Sequence, residues 1–198
     1  MRRRQLAAGQ YTELGLERER GRIYFKSTCG VCLPYFYNIV RVLTKSEAND
    51  WCVAHHVALD ERQLPQPVFS ETQGRDFKIP ADTGRRIALL NQLFQSIPAD
   101  REILLWFTDW GVWPSSERRH MFERFRDSYG EHRWLSDAPA YVFSPSERED
   151  LISFAGFGIL FLWDCHLLTA TADTWLFLSH DEIGWMYSST GQTVSIHG

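Results

Sequence analysis

Four cysteine and histidine side chains in the first part of the chain could hold a metal ion. Cys29 and Cys32 form a Cys-x-x-Cys motif, and Cys52 and His55 follow as a Cys-x-x-His motif. Zinc binds four thiolate or imidazole ligands in a tetrahedron, so two such pairs could form a structural zinc site. However, Cys52 falls in the middle of a predicted helix, on the stripe that faces the core. We therefore expect no cofactor, and zinc bound by these four residues is the alternative.

The Cys-x-x-Cys motif is also typical of thioredoxin-like redox proteins. In those proteins a helix begins at the motif, and the helix N-terminus lowers the pKa of one thiol. Here residues 36–42 follow with the sequence FYNIVRV, whose aromatic and β-branched residues favour a strand. We interpret Cys29 and Cys32 as two thiols on a hairpin turn. No secretory signal is recognised before them, so the thiols are expected to be reduced.

Carboxylate and imidazole side chains in the last part of the chain could perform acid–base chemistry. The candidates are Asp164, His166, His180 and Asp181, joined more weakly by Glu182, His120 and His132. Such groups, brought together at strand ends, could act as general acid and base or hold a hydrolytic metal ion. The chain contains no HExxH, GxSxG or P-loop pattern, and residues 180–182 also fit an ordinary turn. The alternative function is a metal-dependent hydrolase or a zinc-stabilised protein.

Tryptophans are numerous, with 8 in the chain, and two of them lie in a predicted turn. Trp110 and Trp113 flank Gly111, and Pro114 follows, so this segment cannot continue a strand or a helix. Tryptophan buries a large surface while keeping an N–H available, which favours it at protein interfaces. The spacing predicts that Trp110 and Trp113 either cover a core edge or contact a protein partner.

Composition and charge limit the classes of function. The chain has 198 residues, 44% of them hydrophobic and 23% charged, which is typical of one globular domain. The 21 Lys and Arg residues are outnumbered by 25 Asp and Glu residues, giving a net charge of −4. This balance disfavours binding to nucleic acid. No apolar run reaches about 20 residues, and no apolar segment follows the basic N-terminus, so we expect a cytoplasmic protein without a membrane anchor.

Local signals predict four helices. Thr44 and Glu47 form a capping box before a helix, and Asp82 precedes an apolar stripe over residues 87–97. Pro114 begins a third helix, in which arginines and acidic residues alternate on a solvated face. Ser144, Pro145 and Glu147 cap a fourth helix, whose residues 151–163 are apolar on nearly all sides and predict a buried element.

The remaining segments predict strands and connections. Residues 23–25 and 103–108 are apolar runs, and the second predicts a central strand. Residues 166–170, 174–179 and 183–187 predict an antiparallel C-terminal meander. Residues 64–80 contain three prolines and predict an irregular connection. We therefore predict a charged, mobile segment over residues 1–22 and one α+β domain over residues 23–198, with an antiparallel or mixed sheet packed by about four helices.

Several stretches of the last half of the chain resemble hypothetical, uncharacterised bacterial proteins. These stretches are WFTDWGVWPS, DSYGEHR, FLWDCHLL and FLSHDE. The resemblance implies a bacterial source and carries over no functional residues. With no catalytic or cofactor motif and with tryptophans in a turn, the sequence favours a non-enzymatic protein that binds another protein, as immunity, inhibitor and adaptor proteins do.

Overall fold

The computed structural model describes residues 16–19, 22–25, 40–66, 74–111 and 115–189. Contacts divide the chain into two units, residues 1–39 and residues 40–198. In the first unit, β1 (Leu16–Glu19) pairs with β2 (Arg22–Phe25) as an antiparallel ladder. The proposed domain boundary at residue 22 stays a prediction.

The second unit contains a seven-stranded sheet with the order β3-β6-β5-β7-β8-β9-β4. Its strands are β3 (Arg41–Leu43), β4 (Gly74–Lys78), β5 (Ile103–Asp109), β6 (Ala140–Phe143), β7 (Asp164–Thr169), β8 (Thr174–Leu178) and β9 (Ile183–Ser188). Every neighbouring pair is antiparallel. The predicted α+β class and the C-terminal meander, formed by β7, β8 and β9, are confirmed. The predicted central strand, β5, lies between β6 and β7.

Four α-helices accompany this sheet in the described part of the chain. They are α1 (Lys45–Ala54), α2 (Thr83–Gln95), α3 (Arg119–Asp127) and α4 (Arg148–Phe161). Both predicted capping boxes are present, because Thr44 pairs with Glu47 and Ser144 pairs with Glu147. Asp82 caps α2 by accepting a hydrogen bond from the backbone N of Arg85. None of the described helices is long and apolar enough to cross a membrane.

The sheet is covered by side chains on both faces. Alternate residues of β5 point to opposite sides, so Leu105 and Phe107 join one core cluster while Leu104 and Trp106 join another. Helices α2, α3 and α4 contribute to the first cluster, and α1 contributes to the second. As predicted, α4 is mostly buried; its buried residues include Leu151, Phe154, Ala155, Ile159 and Phe161.

Two strands differ from the sequence-based expectation. β4 lies inside the segment predicted to be irregular, and residues 67–73 of that segment fall outside the described residues. In β4 only Phe77 is buried, so its sequence lacks the alternating apolar pattern that predicts a strand. The strand forms by pairing with β9. β6 was not predicted, because its apolar run has only four residues, whereas the longer run of β5 was enough to predict a strand.

Candidate functional site

Three side chains that can bind metal ions or transfer protons meet at one end of the sheet. Asp109 is the last residue of β5, Asp164 is the first residue of β7, and His180 lies between β8 and β9. One ligand atom from each residue lies within 4.8 Å of the other two. We call these three residues the Asp–Asp–His cluster.

Strand pairing explains this convergence. β5 and β7 are antiparallel, so the end of the first strand lies beside the start of the second, and Asp109 pairs with Asp164. The register shifts between Phe107 and Asp109, as at a β-bulge, which changes the direction of the strand end. β8 returns antiparallel to β7, which brings His180 to the same end of the sheet.

Asp164 and His180 form the tightest contact in the cluster. Asp164 Oδ1 accepts a hydrogen bond of 2.6 Å from the backbone N of His180 and lies 2.8 Å from Nδ1 of the same residue. This side-chain hydrogen bond is the main cause that raises the pKa of His180, and the negative charges of Asp164, Asp181 and Asp109 raise it further against the effect of burial. The carboxylate therefore orients the ring through Nδ1 and stabilises its protonated form.

The turn that carries His180 is held by other elements. Glu182 adopts a left-handed backbone conformation with φ of 60°, and its carbonyl accepts a hydrogen bond of 2.7 Å from the backbone N of Ile79. Arg86 on α2 lies 3.6 Å from the Glu182 carboxylate and donates to the carbonyls of Pro80 and Leu160. These contacts fix the position of the imidazole relative to the sheet.

The other predicted acid–base residues lie in different surroundings. The Asp181 side chain is 73% exposed, and its Oδ1 lies 3.6 Å from Nε2 of His180. His166 is buried inside the sheet, and its Nδ1 accepts a hydrogen bond of 3.2 Å from Nε1 of Trp175. Burial lowers the pKa of His166 to about 3, so this ring is neutral near pH 7. His166 therefore packs inside the sheet, while Asp164 and His180, two of the predicted acid–base residues, lie in contact.

Asp109 belongs to the cluster but was not a candidate in the sequence. It is the last residue of β5 and follows an apolar run, so the sequence indicates only that the buried strand ends there. The relevant signal is that two strands carry an aspartate at the ends that antiparallel pairing brings together. That signal can be used only when β5 and β7 are known to be neighbours.

The predicted zinc ligands are only partly described. Cys29 and Cys32 lie outside the described residues. Cys52 is fully buried in α1, and burial raises the pKa of its thiol to about 12. His55 follows α1, with Nδ1 2.8 Å from the carbonyl of Ala170 and its ring against Trp51. Both described residues have structural contacts of their own, and a zinc ion shared with Cys29 and Cys32 stays a prediction.

The tryptophans differ greatly in exposure. Trp110 is partly buried and packs against the larger core cluster, and Trp113 lies outside the described residues. Trp134, between α3 and β6, is 63% exposed, whereas Trp106 and Trp163 are buried. Trp134 could not be singled out from the sequence, because no local pattern distinguishes an exposed tryptophan from one in the core.

Comparisons of this chain with protein-family models, with curated proteins and with solved structures find no match. The resemblance to hypothetical bacterial proteins, and the bacterial source that it implies, stay predictions. Any functional proposal must therefore be argued from the geometry of the chain's own residues.

Proposed function

We propose that this protein acts by binding another protein, as inhibitor, immunity and adaptor proteins do, and that Trp134 is a central contact residue. The observation that carries the proposal is the 63% exposure of this indole ring. A tryptophan left in water forgoes about 2–3 kcal/mol of burial free energy, which a partner surface can recover. Among the described residues, Trp134 is the only exposed aromatic side chain of this size.

The backbone around Trp134 is fixed before any partner binds. Its carbonyl accepts hydrogen bonds from the backbone N of Asp137, at 2.9 Å, and of Ala138, at 3.1 Å. The next side chain, Leu135, is 1% exposed and anchors the segment in the core. A side chain presented by an ordered backbone loses less conformational entropy on binding, so this arrangement favours tight association.

An arginine lies beside the exposed ring. Arg133 donates two hydrogen bonds, through Nε and Nη2, to the carboxylate of Glu131, and Nη2 also donates to the carbonyl of Val42. Its side chain is still 44% exposed. Tryptophan and arginine are the residue types that most often dominate protein–protein binding energy. Because Glu131 neutralises the charge of Arg133, the pair suits a protein partner better than a polyanion.

The proposal is tested by comparing proteins that cross-link to the wild type and to Trp134→Ala in cells that produce the protein naturally. A contact residue of this kind contributes about 2 kcal/mol or more, so the variant should capture the specific partner about 30-fold less. The variant should unfold at nearly the wild-type temperature, because the ring is exposed and fills no core volume.

The matched control is Val53→Ala, which removes part of another exposed apolar side chain, 66% exposed, on α1. This control should capture the same partner as the wild type. The proposal is wrong if the wild-type protein enriches no partner above background capture. It is also wrong if Trp134→Ala captures the partner as well as the wild type does.

A further inference from the structure

We propose that the Asp–Asp–His cluster is a binding site for a divalent transition-metal ion such as Mn²⁺. This inference is independent of the Trp134 proposal, because it rests on different residues. It concerns ion binding alone and assigns no reaction to the site.

The spacing of the ligand atoms fits one ion. Metal–ligand bonds of about 2.1 Å place neighbouring ligand atoms about 3.0 Å apart and opposite ligand atoms about 4.2 Å apart in an octahedral site. Asp164 Oδ1 and His180 Nδ1 lie 2.8 Å apart in a hydrogen bond, and an ion bound to both atoms would displace the proton between them into solvent. The whole cluster lies within 4.8 Å, so small side-chain rotations of Asp109 bring all three atoms to bonding distance.

The negative charge around the cluster also favours binding of a cation. Asp109 and Asp164 are register partners on adjacent strands, and like charges in such a pair destabilise a sheet. Across the described ranges, neither carboxylate forms an ion pair with a lysine or an arginine, and Asp164 pairs instead with His180. The carboxylate of Asp181 adds negative charge on the other side of the imidazole. A bound divalent ion would offset this charge directly.

The cluster is both held in place and open to solvent. Asp109 Oδ1 accepts a hydrogen bond of 2.9 Å from the backbone N of Gly111, and Asp164 Oδ1 accepts one from the backbone N of His180. The side chains of Asp164 and His180 are 18% and 30% exposed, so an ion could enter and keep water ligands. Because Oδ1 of Asp164 takes both contacts with His180, among the described residues its Oδ2 has no hydrogen-bond donor.

The donor set indicates which ions the site prefers. Two carboxylates and one imidazole suit Mn²⁺, Co²⁺ and Zn²⁺ better than Ca²⁺ or Mg²⁺, which take oxygen ligands almost exclusively. Mn²⁺ is the best probe, since it binds thiolates weakly and will not report on the cysteines of the chain.

The experiment titrates Mn²⁺ into the full-length protein at pH 7.5 and follows free Mn²⁺ by electron paramagnetic resonance. We expect one bound ion per chain with a dissociation constant below about 100 μM, as three protein ligands with open water positions allow. Asp109→Asn should weaken binding at least tenfold. Asparagine keeps the oxygen that accepts from the backbone N of Gly111 and removes the repulsion with Asp164, so without metal the variant should unfold at or above the wild-type thermal midpoint.

The chain supplies a matched control. Asp127 and His132 form a second Asp–His pair, with Oδ1 and Nδ1 2.9 Å apart, on an exposed surface without a third ligand in the described residues. Asp127→Asn should leave Mn²⁺ affinity within twofold of the wild type. The proposal is overturned if free Mn²⁺ is not depleted at 1 mM protein, or if the Asp109 and Asp127 variants bind it equally.

Discussion

Replacing Arg148 by methionine is expected to destabilise the protein by about 2–3 kcal/mol. Arg148 begins α4, and its partly buried guanidinium lies at the C-terminal end of α2. It donates to the carbonyls of Phe94, of Ile97 at 3.0 Å and of Pro98 at 3.5 Å, and it lies 5.0 Å from the ring centre of Phe94. This one side chain therefore donates hydrogen bonds to a carbonyl in the last turn of α2 and to carbonyls of the segment that follows it.

The magnitude follows from the contacts that methionine cannot replace. Each of the two shorter hydrogen bonds from a charged donor contributes about 1 kcal/mol after a discount for partial exposure, and the contact with the Phe94 ring adds about 0.5–1 kcal/mol. The bond to Pro98 is too long to add much. Methionine keeps the apolar stem of the side chain, so little packing is lost. Burial lowers the pKa of Arg148, but a guanidinium stays charged at every pH of interest.

Urea unfolding followed by circular dichroism measures this loss as a lower midpoint with an unchanged slope. Arg124→Met is the matched control, since Arg124 is exposed on α3 and its replacement should change stability by less than about 0.5 kcal/mol. Equal stability of the Arg148 and Arg124 variants would refute the assignment of Arg148 as the cap of α2.

Two further predictions concern the interior. Gly158→Ala should cost about 1–2 kcal/mol in thermal unfolding, because its Cβ would lie 2.8 Å from Sγ of Cys165 and 3.4 Å from Cε1 of Phe107, and overpacking outweighs the gain in helix propensity. Cys165→Ala should cost less stability in the Gly158→Ala variant than in the wild type. If the losses of the two single variants simply add in the double variant, the proposed contact is wrong. The pKa of the buried His166 is about 3, against 6.5 in the unfolded chain. Between about pH 3 and pH 6.5 this side chain therefore binds a proton only in the unfolded chain. Stability should therefore fall by about 2 kcal/mol from pH 7.5 to pH 5, and His166→Asn, which retains a hydrogen-bond acceptor, should lose less over the same range.

The helices could be predicted because their signals are local. The Thr44–Glu47 and Ser144–Glu147 boxes lie within four residues of sequence and form the same hydrogen bonds in the fold. β4 could not be predicted in this way, since its residues Gly74–Lys78 become a strand only by pairing with β9, far along the chain. Ladder pairing is set by tertiary structure, and no property of residues 64–80 alone encodes it.

The candidate site shows the same division. Asp164 and His180 could be named from residue type, and the structure places them 2.8 Å apart. Asp109 could not be named, because its role depends on the pairing of β5 with β7. Exposure of tryptophan is equally non-local: Trp110 lies in a turn and packs partly against the core, whereas Trp134 follows a charged segment and is exposed.

The Asp164–His180 contact would exist in a purely structural turn, so it does not by itself indicate a site. A carboxylate that accepts from the backbone N and the ring of His180 fastens the turn between β8 and β9 to the start of β7. That role needs one carboxylate, and it is complete without Asp109. A second carboxylate placed opposite the first raises the repulsion at the sheet end and improves no bond within the turn. Asp109 has a turn contact of its own, from the backbone N of Gly111, which an asparagine could also make. Its negative charge beside Asp164 is therefore the feature that the turn does not need and that a bound cation would offset.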